Sequence, residues 1–171
     1  MNQKKNRVAV IALSSAALLL FSSAAGYGAT TLTTQQRQQL QFQIEEEKLA
    51  RDVYNYLATN VTTQKFSNIA KSEQTHMDYI ATLLKSYKVW NPTLNRKPGV
   101  FWNTELQKLY NDLIVSGKTG VLEAFATGVT IENRDIADLQ KIDLAKMPVD
   151  VKTALDLLLK GSQNHLAAFT R

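Results

Sequence analysis

The chain has 171 residues, 44% hydrophobic and 20% charged, with 20 Lys and Arg against 15 Asp and Glu and no cysteine. The lack of cysteine excludes a disulfide framework, a zinc ribbon, an iron–sulfur cluster and a thiol nucleophile. The net charge is +5, but Lys4, Lys5 and Arg7 supply three of those charges and the rest of the chain carries +2 without a basic run interleaved with aromatics, so no nucleic-acid partner is expected.

In chain order, a basic start, "MNQKKNR", precedes the uncharged apolar run "VAVIALSSAALLLF" and the small residues of "SSAAGYGAT". That order reads as a secretory signal peptide over residues 1–29, cleaved near residues 25–29. At ~1.5 Å per residue the apolar run covers about 21 Å, less than the ~30 Å hydrocarbon core, which favours cleavage over an anchor, and no stable membrane span is expected once it is removed. An uncleaved anchor is the other reading of this stretch. The expected location is the periplasm or the cell exterior, and residues 30–171 suit one domain with a real core.

Seven glycines, three prolines and long periodic segments predict an all-α domain. A first long helix is expected from about Thr34 to Ala58, with Leu40, Ile44, Glu47, Ala50, Tyr54 and Leu57 inward and with Glu45 and Glu46 on the flank or in solvent. The second runs from about Ser67, or slightly earlier, to Tyr87. "KVWNPTLNRKPGVFWN" holds two prolines and a glycine and reads as a loop, and residues 104–117 form a short extra helix. A third long helix spans about Gly120 to Ile142, with Leu122, Phe125, Val129, Glu132, Ile136 and Leu139 inward. Pro148 breaks the chain, Asp150 is a candidate cap, and a fourth long helix covers about Val149 to Phe169. A short first connection and a long second one predict an antiparallel four-helix bundle with an elaborated crossover.

The apolar stripes are interrupted by polar residues. In the second helix Phe66, Ile69, Ala70, Met77, Ile80, Leu83, Leu84 and Tyr87 share one face with Glu73 and His76, one turn apart. Glu47, Glu132 and His165 occupy inward positions on the other three long helices. Unpartnered buried carboxylates cost several kcal/mol or take up protons, and converging ones repel. A divalent cation relieves both penalties, and a carboxylate–imidazole set suits iron, manganese or zinc. A hydrogen-bonded structural network is the alternative. Tyr54 reads first as a core tyrosine with a satisfied hydroxyl and second as a redox side chain.

At these residues the sequence resembles the ferritin-like superfamily. "EEEKLARDVYNYL", "FSNIAKSEQTHM", "VTIENRDIADL" and "LLKGSQNHLAAF" carry the likeness, which covers about residues 38–170 and is closest to the largely uncharacterised prokaryotic family called domain of unknown function 2202. Glu47-x-x-Ala50-x-x-x-Tyr54 and Phe66-x-x-Ile69-Ala70-x-x-Glu73-x-x-His76 are similar to the first two helices of rubrerythrins. The resemblance implies a ferritin-like bundle with Glu47, Glu73, His76, Glu132 and His165 as metal ligands, and two iron ions. It also implies a di-iron oxidoreductase acting on dioxygen or peroxide, with Glu73 bridging.

One departure stands out. The usual fourth-helix Glu-x-x-His is Ser162-x-x-His165 here, and Asp135, one turn after Glu132, is the best substitute carboxylate. Glu47, Glu73 and Glu132 bring three negative charges, and Asp135 makes four, enough to balance two divalent ions. Gly161 either opens space for an exogenous ligand or allows close helix packing. Without a thiolate-bound electron-transfer iron, turnover needs an external electron donor; a metal-sequestering or metal-delivery protein without turnover is the alternative, and a homodimer is compatible with either.

Overall fold

A computed structural model of the protein describes residues 31–171; the signal-peptide reading of residues 1–29 lies outside them. The described residues form α1 (Thr34–Ala58), α2 (Gln64–Ser86), α3 (Thr104–Gly117), α4 (Val121–Gln140) and α5 (Val149–Phe169), with a 3-10 turn at Leu144–Lys146 and no strand. The described residues form an all-helical fold, as expected, and the predicted bounds of the first, short and last helices agree with α1, α3 and α5. No helix among the described residues is long and apolar enough to cross a membrane.

Local chemistry sets the helix ends. At α1 the Thr33 hydroxyl accepts from the Gln36 amide at 3.2 Å, while Gln36 Oε1 accepts from the Thr33 amide at 2.8 Å. This reciprocal pair satisfies two donors that a helix start leaves open. Thr63 caps α2 by accepting from Lys65 N, so α2 begins three residues before Ser67. Asn103 caps α3 through Glu105 N and Leu106 N. Asp150 is not the cap of α5: Pro148 holds that position without a side-chain bond, and Asp150 lies inside the first turn, accepting from the Tyr87 hydroxyl at 2.8 Å.

Five residues join α1 to α2, which pack side by side; α5 packs on α4 and α2, and α3 lies against both α1 and α4. The apolar interior is divided in two. One cluster gathers Tyr54, Leu57, Phe66 and Phe169; the other gathers Leu40, Ile44, Ile80, Leu84 and Leu158. On each of the four long helices the residues between these clusters are polar: Glu47, Glu73 with His76, Glu132 with Asp135, and Ser162 with His165. A polar layer is thus enclosed between two hydrophobic ones.

Two face assignments need correction. Leu122 is 81% exposed, because the buried face of α4 runs through Ala124, Thr127, Gly128, Ile131, Glu132, Asp135 and Leu139. Glu45 and Glu46 do not reach solvent: α1 is buried without a break from Gln43 to Ala50. Its second face is covered by the α2–α3 crossover and α3. Glu45 accepts from the amides of Trp102 at 2.5 Å and Asn103 at 3.1 Å. Buried Lys48 pairs with Asp52 and donates to the Lys97 carbonyl at 3.0 Å, and Asp52 accepts from Gly99 N at 2.9 Å. A crossover without regular structure is held by side chains of α1 that answer its free backbone groups.

Candidate metal centre

Each long helix delivers one part of the centre because a 3.6-residue period returns to the same face after three or four residues. On α2, Glu73 and His76 are one turn apart, and His76 Nδ1 lies 2.9 Å from Glu73 Oε2 and 3.1 Å from Glu47 Oε2 on α1. From α5, His165 Nδ1 lies 2.9 Å from Glu73 Oε1 and 3.6 Å from Glu132 Oε1 on α4. The two oxygens of Glu73 therefore face different imidazoles. Glu47, Glu73 and His76 form one triad, and Glu73, Glu132 and His165 form a second, with the candidate ligand atoms of each within 4.8 Å of one another. The imidazoles stack at 5.6 Å between centroids. Exposure of the five residues does not exceed 8%.

Asp135 is also buried, but belongs to neither triad. Its Oδ2 accepts from the Ser162 hydroxyl, so the residue found where a fourth-helix carboxylate was expected holds the candidate substitute from α4. Its Oδ1 has no hydrogen-bond partner, nor have Glu47 Oε1, Glu73 Oε1 and His165 Nδ1. His165 Nδ1 and Glu73 Oε1 are close, yet not aligned as a hydrogen bond. Buried carboxylate oxygens with no donor facing them, Glu47 Oε1 and Asp135 Oδ1, fit a site for a metal ion better than a closed hydrogen-bond network.

Groups outside the triads set the orientation of those within them. The Tyr54 hydroxyl donates to Glu132 Oε1 at 2.6 Å, the satisfied core tyrosine of the first reading. Ser72 Oγ lies 3.0 Å from His165 Nε2; with Nε2 protonated towards it, Nδ1 keeps its lone pair for the centre. Gly161 takes the packing reading: a Cβ there would stand 2.3 Å from His76 Cε1 and 2.5 Å from Nε2. The space belongs to the His76 ring rather than to an exogenous ligand. On the outer side, Glu46 accepts from Gln43 Nε2 at 2.9 Å and from Arg134 Nε at 3.2 Å. Glu46, Gln43 and Ser72 were not singled out by sequence reasoning. The run of three glutamates was the available signal for Glu46.

Electrostatics sets the proton inventory. Burial raises Glu132 to about 8, Asp135 to about 7 and Glu46 to about 9, against the partial relief of their hydrogen-bond partners. Burial, with Asp135 next, pushes Glu47 well above the carboxylate range. Glu73 is the exception: burial opposes its charge, but His165 and His76 hold it down to about 2. Burial likewise opposes the imidazolium forms, yet Glu47 and Glu73 carry His76 to about 11, and Glu132 and Glu73 carry His165 to about 9. Without metal, two protonated imidazoles stand in for cations.

Two outcomes follow from this geometry. Glu132 and His165 both hold more protons folded than unfolded, from 4.5 to about 8 and from 6.5 to about 9. Metal-free stability should therefore fall as pH rises through these windows, while a divalent ion, favoured by deprotonation, should raise the melting temperature more at high pH than at low pH. Thermal melts with chelator and with metal at several pH values check both signs. Gly161→Ala, a change that ordinarily stabilises a helix by ~1 kcal/mol, should instead lower stability by roughly 1–3 kcal/mol and weaken metal binding on the His76 side. Melting curves and metal counts of this variant check the contact.

The family described as an uncharacterized protein domain, DUF2202, matches residues 36–171. The chain is 46% identical over 127 residues to the uncharacterized protein MJ0754 of Methanocaldococcus jannaschii, covering 74% of this chain and 69% of that one. It is also similar to the crystal structure of the hypothetical protein MJ0754, with a TM-score of 0.78 and 40% identity over 85% of this chain and 83% of that one. On these matches the chain belongs to the DUF2202 family.

Proposed function

We propose that the protein is a ferritin-like four-helix bundle, α1, α2, α4 and α5, holding two divalent metal ions, with iron as the leading candidate and manganese or zinc as alternatives. The observation that carries this reading is the position of Glu73, one carboxylate oxygen towards each imidazole. Glu47 and His76 would complete one ion and Glu132 and His165 the other. Asp135, steadied by Ser162, stands as a further carboxylate beside them. The three triad carboxylates and Asp135 would balance two divalent ions.

Bound iron would supply the redox chemistry for reducing dioxygen or peroxide, with electrons from an external donor. The chain's own residues supply order and a dry setting. Tyr54 fixes Glu132, and Phe66 and Phe169 pack on the Tyr54 ring at 6.1 and 5.3 Å between centroids. This side of the centre is aromatic and closed to bulk water, where fixed charges act more strongly than at a surface. The protons that His76 and His165 hold in the metal-free protein leave as the ions bind. Export to the periplasm or cell exterior belongs to the same reading and rests on residues 1–29.

A second reading, metal sequestration or delivery without turnover, is favoured by the lack of any cysteine that could hold an electron-transfer iron in this chain. Anaerobic loading with ferrous iron, followed by a metal count per chain, separates these classes. The di-iron reading expects two ions in the wild type, a loss in Glu73→Ala, and oxidation of the bound iron by dioxygen or peroxide. Two ions that neither oxidant oxidises would favour sequestration or delivery. One ion per chain would contradict the binuclear centre, and no bound iron, manganese or zinc would leave a structural network.

A further inference from the structure

Both tryptophans of the chain, Trp90 and Trp102, lie in the crossover before α3, and both are largely exposed, at 53% and 62%. Large exposed aromatics that stand together mark interaction sites far more often than scattered ones do. Here their rings meet at 76° with centroids 5.0 Å apart, making two walls of a corner. The two rings line a cavity of about 410 Å³ together with Phe42, Pro92 and residues of α1 and the start of α3.

The chemistry of the lining selects a charge. Two carboxylates, Glu45 and Glu105, line the cavity, and no Lys or Arg does. Four of the backbone donors that could attract an anion are taken: Glu45 accepts the amides of Trp102 and Asn103, and the Asn103 side chain accepts those of Glu105 and Leu106. The indole already shows its preference within the molecule. The Arg96 guanidinium lies over the Trp102 ring at 5.2 Å, held there by donation to the Pro92 carbonyl at 3.0 Å. Perpendicular aromatic walls beside a carboxylate are the arrangement that binds quaternary ammonium groups, through the negative faces of the rings.

We propose that the Trp90–Trp102 corner binds a small organic cation of the quaternary-ammonium class. The site uses none of the residues of the two triads and does not depend on the metal reading. The Trp90 ring and the Trp102 face that Arg96 leaves free take the alkylated cation, Glu105 supplies countercharge, and Phe42 supplies apolar contact. Such a group could come from a free solute or from a lipid headgroup.

Because both tryptophans are in this corner, intrinsic fluorescence of the full chain reports on it directly. Titration with choline chloride, against sodium chloride at equal ionic strength, should give a saturable change. The neutral isostere 3,3-dimethylbutan-1-ol should bind roughly tenfold more weakly or not at all. Glu105→Gln, an exposed change that keeps both indoles, should weaken choline binding by roughly threefold. Phosphatidylcholine vesicles give the source: a shift with vesicles as well as free choline assigns a lipid headgroup, and a shift with free choline alone assigns a solute. An equal response to choline and its neutral isostere, or no saturable response to choline, would overturn the proposal.

Discussion

The structure depends on one electrostatic constraint: five ionisable side chains and Asp135 are enclosed between two apolar clusters, with too little internal countercharge. A carboxylate taken from water into such a layer is costly, and several together are costlier. The metal-free protein meets this cost by keeping protons on Glu47 and Glu132 and by protonating both imidazoles around Glu73. Glu73 is the pivot, since it alone faces both histidines and alone is held far below the ordinary carboxylate range. A sequence selected only for stability would fill this layer with leucine. Retention of charged groups on all four long helices is what separates the layer from an ordinary core.

The crossover contributes a second constraint, on α1. A long segment without regular structure carries backbone groups that need partners, and α1 supplies them through Glu45, Lys48 and Asp52. This makes α1 a helix with two working faces, one towards the polar layer and one towards the crossover. It also connects the two sites proposed here. Glu47 faces the triads, while Glu45, two residues earlier and on the other face, anchors the backbone of Trp102.

Much of this was legible in the sequence because the polar interruptions keep the helical period. Glu73 and His76 stood out as exceptions in an otherwise unbroken apolar stripe, and Glu47, Glu132 and His165 by the same test. Burial of Glu45 and Glu46 was not legible, since what covers them comes from residues more than fifty positions away, and local periodicity carries no record of that. Leu122 misled because it fits the period but lies in the first turn of α4, beyond the packed neighbours. Gly161 was visible as an anomaly, yet its meaning needed the His76 ring in place. Ser162 looked like a missing ligand and is instead the partner of Asp135.

The central claim is that Glu73 stands between two metal positions, and anomalous diffraction from crystals loaded with ferrous iron tests it most directly. Two anomalous peaks, one beside Glu47 and His76 and the other beside Glu132 and His165, with one Glu73 oxygen towards each, is the predicted result. A single peak, or peaks away from Glu73, would contradict the account.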